Sequence, residues 1–143
     1  MVQVVKLPHE KNNFGGIWHS DTTYLEEPPI GALLFAREVP KVGGDTLFAN
    51  MYLAYETLST GLKTMLDSLI VVQSSAKAGA SRSREERLLD ESAVAEQVLE
   101  AEPPVVCAHP ETGRKALFVN YGHSIRFKNM TEAESKPLLD YLF

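Results

Sequence analysis

Residues 13–21 read Asn-Phe-Gly-Gly-Ile-Trp-His-Ser-Asp. Glycine and proline pairs bound the segment Trp18–Tyr24, which predicts a strand. On a strand, positions 19 and 21 project from the same face, so a nitrogen of His19 and an oxygen of Asp21 can converge on one metal ion. The motif alone is weak, because a chain with 4 histidines matches it by chance roughly one time in five. The spacing is therefore also compatible with a structural histidine beside a surface aspartate that together bind no metal.

The segments on either side of this motif also predict extended structure. Val2–Leu7 is short and β-branched, which favours a strand. Ile30–Val39 is almost continuously apolar, as expected of a strand buried on both faces or in a sandwich core. Pro40–Gly44 predicts a turn whose two glycines can take positive φ, and Asp45–Asn50 restarts an extended segment.

Capping residues indicate where helices begin. Asn50 is a good N-cap for a helix over Met51–Leu58, and Ser59 or Thr60 can cap a second over Leu62–Leu69. Further along the chain, the predicted elements are a strand at Leu69–Gln73, a mobile surface loop at Ser74–Ser81, and a helix from a capping box at Ser83 and Glu86 to about Leu99.

The last third of the chain predicts a hairpin and a helix. Strands at Val105–Ala108 and Ala116–Asn120 flank a connection over residues 109–114 that contains a glycine. Thr131 and Glu134 form a capping box, and the helix it opens carries an apolar stripe of Leu138, Leu139 and Leu142. That helix has no stop signal, which predicts that the chain is a fragment of a longer domain.

Composition excludes several classes of protein. The chain has 143 residues, of which 44% are hydrophobic and 23% charged, with a single cysteine, as in an ordinary soluble domain. No apolar run approaches the roughly 20 residues of a membrane span, and no signal peptide is recognisable, so we expect a cytoplasmic protein. The net charge of −5 argues against nucleic acid as a partner. The arginines at 82, 84 and 87 alternate with glutamates, which is typical of a solvated helix face.

Four motifs in order carry a family resemblance. They are Asn13-Phe-Gly-Gly-Ile-Trp-His-Ser-Asp21, Pro28-Pro-Ile-Gly31, Gly43-Gly-Asp-Thr-Leu-Phe48 and His109-Pro-Glu-Thr-Gly-Arg-Lys-Ala-Leu-Phe-Val-Asn120. Together they resemble the taurine dioxygenase (TauD/TfdA) family of Fe(II)- and 2-oxoglutarate-dependent dioxygenases. The resemblance implies a mainly β jelly roll (double-stranded β-helix) with inserted helices, incomplete in this chain, and residues 1–143 as a single partial domain.

The resemblance also implies site residues. His19 and Asp21 match the first two members of the family's two-histidine, one-carboxylate iron site, a ligand set that leaves three positions on Fe(II) for small molecules. Thr46 matches the residue that bonds the distal carboxylate of the cosubstrate 2-oxoglutarate. Thr22 and His123 are expected to face the substrate pocket, where His123 either donates to an anionic group of the substrate or packs beneath the pocket. The implied reaction hydroxylates a small, anionic organic substrate with dioxygen and releases succinate and CO2.

The sequence departs from the family pattern at two places. The family's late third histidine ligand and the arginine after it are not present, and none of His9, His109 or His123 matches the third ligand. We therefore expect the chain alone to be catalytically incomplete. Gly15 stands where taurine-using relatives have an amide side chain, which argues against taurine as substrate. Alkyl sulfonates, sulfate esters and aryloxy carboxylates remain as candidate substrate classes.

Other functions stay open beside this one. The main alternative is a catalytically incomplete jelly-roll relative that acts as a binding module. A zinc-dependent hydrolase using His19 and Asp21 lacks a supporting cysteine pair or second histidine at helical spacing. A nucleophilic enzyme built on Cys107 is disfavoured because this residue lies in an apolar strand. A homo-oligomer is possible, and the exposed sheet edges of an incomplete jelly roll predict a tendency to aggregate.

Overall fold

The computed structural model describes residues 4–7, 15–77 and 97–143. Within them, three α-helices and five short strands follow one another along the chain. In order they are α1 (Met51–Glu56), α2 (Thr60–Leu66), β1 (Val71–Ser74), a 3-10 helix at Ser75–Lys77, β2 (Glu100–Ala101), β3 (Val106–Ala108), β4 (Lys115–Leu117), β5 (Ser124–Phe127) and α3 (Glu132–Leu142).

Two antiparallel sheets form the centre of the described structure. β1 lies between β2 and β5 in a three-stranded sheet, and β3 pairs with β4 in the predicted hairpin. The pairing of β1 with β5 shifts register between Val72 and Gln73, as at a β-bulge. Helix α1 packs on β4 and α3 packs on β5. The buried apolar side chains between these layers belong to Leu66, Val71, Val105, Leu117, Val119, Phe127 and Leu139.

The helix starts agree with the sequence prediction. The side chain of Asn50 accepts hydrogen bonds from two backbone N–H groups of α1, and Ser59 caps α2. Thr131 and Glu134 form the predicted capping box of α3, whose Leu139 is buried in the core. The ends differ, because α1 and α2 each stop short of the predicted Leu58 and Leu69.

The sheet predictions agree in part. Strand β1 is shifted by two residues from the predicted start at Leu69, and Ser74 belongs to it. The predicted mobile loop at Ser74–Ser81 is therefore wrong for its first residues, and its remainder lies outside the described residues, as does the predicted helix from Ser83 as far as residue 96. β4 ends at Leu117 instead of Asn120, although the Phe118 N–H still bonds to the Val105 carbonyl across from it. Gly113 in the hairpin connection has the expected positive φ of 68°.

Three predicted strands are wrong in the described structure. Residues 4–7 form no strand, and residues 18–24 pass through a turn in which Thr22 has a φ of 50°. The segment Ile30–Val39 also forms no strand, and all of its side chains are exposed. An apolar run becomes a buried strand only when neighbouring strands satisfy its backbone N–H and C=O groups, and among the described residues no strand pairs with this segment. The glycines of the following turn do have positive φ, 80° at Gly43 and 78° at Gly44.

Within residues 4–7, 15–77 and 97–143, no helix has the length and apolar composition needed to cross a bilayer.

Candidate metal and substrate site

The His19 and Asp21 side chains meet in the turn that replaces the predicted strand. His19 Nε2 lies 3.4 Å from Asp21 Oδ1. Two ligands that occupy neighbouring positions of an octahedral metal at about 2.1 Å are about 3 Å apart. The observed separation is therefore close to that of a metal-bound pair, although a turn and not the pleat of a strand produces it.

The ring of His19 is oriented by its own backbone. Its Nδ1 lies 2.7 Å from the carbonyl oxygen of Ile17. Because a carbonyl oxygen can only accept, Nδ1 carries the proton and donates it, which leaves the lone pair on Nε2 on the side of Asp21. Metal-bound histidines are held in the same way, with the second nitrogen donating to a carbonyl or carboxylate. The donor set thus fits a divalent metal ion.

A cleft opens beside Asp21. The Asp21 side chain is 59% exposed and that of His19 is 23% exposed, so both can be reached by a small molecule. The cleft has a volume of about 270 Å³. Its lining residues are Ser20, Asp21, Thr23, Pro28, Pro29, Gly31, Ala32 and Phe118.

Two buried polar atoms near this turn have no hydrogen-bond partner in the described structure. They are Oγ1 of Thr22 and Nδ1 of His123. Neither residue is among those that line the cleft beside Asp21. Buried polar atoms are nearly always paired, so such exceptions near the His19–Asp21 pair are candidates for ligand contacts. Both residues were expected from the sequence to face the substrate.

His123 lies close enough to His19 and Asp21 for their charges to affect its pKa. Burial is the largest effect and lowers the pKa of His123 below its ordinary value of 6.5. The backbone of Ser74 raises this pKa by a smaller amount, and His19 lowers it. The ring also stacks edge-on against Tyr24, with the two centroids 5.0 Å apart. His123 is therefore a neutral imidazole at pH 7, held beside the turn that carries His19 and Asp21.

Thr46, expected to bond the distal carboxylate of 2-oxoglutarate, makes no direct contact that joins it to this pair among the described residues. Thr46 is exposed in the irregular segment between residues 28 and 50, and no hydrogen bond or ion pair within the described ranges joins it to His19 or Asp21. Likewise, the part of the chain that the structure describes holds no group of three or more histidine, cysteine, aspartate or glutamate side chains placed for a metal. Among the described residues, the candidate metal site therefore consists of His19 and Asp21 alone.

The remaining candidate residues have structural roles. His109 Nδ1 accepts from the backbone N–H groups of Glu111 and Thr112 and so organises the hairpin connection. Burial raises the pKa of the Cys107 thiol above its ordinary value of 9.0, so the thiol stays protonated at neutral pH. Both observations agree with the sequence interpretation that neither residue carries the chemistry.

Comparison with known proteins identifies the family. The model of the family described as "Taurine catabolism dioxygenase TauD, TfdA family" matches residues 3–143. A Schizosaccharomyces pombe relative is 39% identical over 135 residues, which are 94% of this chain and 33% of that protein. The alpha-ketoglutarate-dependent sulfonate dioxygenase of Saccharomyces cerevisiae is 34% identical over 128 residues, covering 90% of this chain and 30% of that protein.

A solved structure gives the same result for the fold. The crystal structure of AAD-2 in complex with Mn(II) and N-oxalylglycine matches with a TM-score of 0.71 and 27% identity, covering 90% of this chain and 49% of that one. This likeness assigns the mainly β chain, with its helices, to the jelly-roll fold of the TauD-like dioxygenases. The chain spans about a third to a half of the length of the proteins it matches. With a family match over almost every residue, the chain belongs to the TauD, TfdA family of taurine catabolism dioxygenases.

Proposed function

We propose that the chain carries the first two metal ligands and part of the substrate pocket of an Fe(II)- and 2-oxoglutarate-dependent dioxygenase. The observation that supports this most is the 3.4 Å approach of His19 Nε2 to Asp21 Oδ1, with His19 Nδ1 tied to a carbonyl. When bound, the iron would supply the oxidation chemistry, with 2-oxoglutarate converted to succinate and CO2. The residues of the chain would hold the metal and orient the substrate.

The proposed substrate is a small organic anion, either a sulfonate, a sulfate ester or an aryloxy carboxylate. Relatives named alkylsulfatase, sulfate ester dioxygenase and phenoxypropionate dioxygenase are 32% to 35% identical to this chain. The unpartnered Oγ1 of Thr22 supports the same class, because a hydroxyl can donate a hydrogen bond to an oxyanion, and His123 is proposed to lie beside the same pocket. Thr46 is proposed to donate its hydroxyl to the distal carboxylate of 2-oxoglutarate.

A binding module without turnover is the second candidate. The observation that favours it is that the described residues bring together two metal-ligating side chains and no third. Two protein ligands can hold a metal and a chelating keto acid, whereas the family pattern uses three. Binding and turnover therefore have to be measured separately.

The test incubates the chain with Fe(II), 2-oxoglutarate, dioxygen and a panel of alkyl sulfonates, sulfate esters and aryloxy carboxylates. The chain alone is expected to be catalytically incomplete, so any succinate that it forms should be lost in His19→Ala and Asp21→Ala and retained in the control His109→Ala, whose ring serves the hairpin. Metal and 2-oxoglutarate binding without succinate would favour the binding module. Metal binding that is unchanged in His19→Ala and Asp21→Ala would contradict both candidates.

A further inference from the structure

Three side-chain donors from different parts of the chain converge on one buried amide oxygen, Oε1 of Gln73. Thr23 Oγ1 donates to it at 3.2 Å, Ser124 Oγ at 3.1 Å and Asn120 Nδ2 at 3.4 Å. Gln73 in turn donates from Nε2 to the carbonyl of Phe118 at 2.9 Å. Gln73 and Ser124 are 0% exposed, Thr23 is 2% exposed and Asn120 is 8% exposed. A fully satisfied buried network of this kind holds its members in one arrangement.

This network anchors the turn that presents His19 and Asp21. Thr23 follows Thr22, a β-branched residue whose φ of 50° is rare for such side chains. A strained residue persists only where its surroundings fix it. On one side the Leu25 N–H bonds to the Thr22 carbonyl at 3.0 Å, and on the other the Thr23 hydroxyl is fixed by Gln73 and Asn120.

The same network holds the turn that carries His123. Asn120 Oδ1 accepts from the His123 N–H at 2.9 Å, and the Gly122 N–H reaches back to the Trp18 carbonyl at 3.1 Å. The metal pair and the buried imidazole are therefore fixed to one strand, β1, through a single side chain.

We propose that Gln73, Thr23 and Asn120 are positioning residues that set the geometry of the His19–Asp21 pair relative to His123. This inference rests on the proposed function for its consequence in metal binding. Gln73 and Asn120 do not line the cleft beside Asp21, and Thr23 lines it while its hydroxyl is bonded to the network. They act by fixing the two turns, as partners behind metal ligands do in other proteins.

Thr23→Val is the most specific test, because it removes the hydroxyl and keeps the shape. In this variant, Gln73 Oε1 still accepts hydrogen bonds from Ser124 Oγ and Asn120 Nδ2. Asn120 Nδ2 likewise keeps Gln73 Oε1 as its acceptor, so no buried group of the sheet loses its last hydrogen-bond partner. The matched control is Ser135→Ala, which removes a buried hydroxyl that joins α3 to the Phe127 N–H. Thr23→Ser restores the hydroxyl and serves as the rescue variant.

Mn(II) is the probe, and its dissociation constant is read from the electron paramagnetic resonance signal of the free ion. We expect Thr23→Val to weaken Mn(II) binding by about tenfold or more, Thr23→Ser to restore it, and Ser135→Ala to leave it unchanged. Wild-type affinity in Thr23→Val, or an equal loss in Ser135→Ala, would overturn the proposal.

A second readout needs no metal and separates this proposal from the proposed function. Hydrogen exchange at the Leu25 amide reports on the strained turn, and we expect it to speed up by about tenfold or more in Thr23→Val and to stay unchanged in Ser135→Ala. Unchanged exchange in Thr23→Val overturns the positioning role. If Mn(II) binding does not depend on His19, the proposed function fails, and the exchange rates still decide whether Thr23 fixes the turn.

Discussion

Gly15 lies against the imidazole ring of His19. A Cβ atom at Gly15 would stand 3.2 Å from Cε1 and 3.8 Å from Nε2 of His19. Gly15 also has a φ of 65°, a conformation that side chains disfavour. Taurine-using relatives are expected to carry an amide side chain at this position. In this chain, a side chain at position 15 would contact the ring of the proposed metal ligand His19 too closely. The glycine avoids this steric contact.

Gly15→Ala should therefore affect both stability and metal binding. The positive φ costs about 1 kcal/mol of unfolding free energy once a Cβ is present. The contact with Cε1 forces the His19 ring to shift by a few tenths of an ångström, which should weaken Mn(II) binding several-fold. Urea unfolding measures the first effect and the Mn(II) resonance signal of the free ion measures the second.

Gly113→Ala is the matched control for this experiment. Gly113 has nearly the same φ, 68°, but a Cβ there would meet nothing within 4 Å. The Gly113→Ala variant should lose about as much unfolding free energy as Gly15→Ala, and its Mn(II) affinity should equal that of the wild type. Equal losses of affinity in the two variants would show that the contact with His19 is irrelevant.

The capping box of α3 predicts an acid-dependent loss of stability. Hydrogen bonds from the backbone and hydroxyl of Thr131 lower the pKa of Glu134 below its ordinary value of 4.5. A carboxylate with a lowered pKa stabilises the fold at pH values above 4.5, and this contribution is lost as the pH falls through the folded-state pKa. Glu134→Gln should lower the melting temperature at pH 7, and the difference from wild type should shrink below pH 4.5. Glu132→Gln, in the same helical turn but outside the capping box, should show a smaller difference at pH 7. A constant difference at all pH values would contradict this role of Glu134.

Buried His123 predicts a second pH dependence. Its pKa lies below 6.5 in the folded chain because burial disfavours the charged ring. As the pH falls from 6.5 toward that lower value, the unfolded chain binds a proton that the folded chain does not, so stability falls. His123→Phe keeps an aromatic ring beside Tyr24 and removes the titration. The melting temperature should fall less between pH 7.5 and 5.5 in this variant than in wild type, and equal slopes would exclude His123 as the cause.

The exposed apolar segment predicts self-association. Leu33 is 96% exposed and Phe35 is 81% exposed, within a run of apolar side chains that no described strand covers. Large exposed apolar patches promote association. The double variant Leu33→Lys and Phe35→Lys should reduce concentration-dependent light scattering. Its unfolding free energy should change by less than about 0.5 kcal/mol, as for exposed positions generally. Unchanged scattering would assign any association to another surface.

Much of the secondary structure follows from local sequence signals. Asn50, Ser59 and Thr131 cap the helices because their side chains accept from the N–H groups of the next turn. The hairpin needs the positive φ of Gly113. These interactions lie within a few residues of one another, so a sequence shows them directly.

Other features depend on distant parts of the chain. Strand β5 was not predicted, because the alternation of polar and apolar residues in Ser124–Phe127 covers only four positions, and the strand is fixed by pairing with β1, some fifty residues earlier. The segment Ile30–Val39 was predicted as a strand from its composition, but pairing partners decide whether a strand forms. The site shows the same division. The spacing singled out His19 and Asp21, and the family resemblance assigned them as metal ligands. Gln73 was not identified as a site residue, since only the fold brings Thr23 and Asn120 to it.

The central claim is that His19 and Asp21 together hold iron in a site that also takes 2-oxoglutarate. The most direct measurement is an anaerobic titration of the chain with Fe(II) and 2-oxoglutarate, following the visible metal-to-ligand charge-transfer band that chelation of the keto acid produces. We predict that the band appears with the unaltered chain and with His109→Ala, and is lost in His19→Ala and in Asp21→Ala. No band with the unaltered chain, or a band that survives either ligand substitution, would contradict the claim.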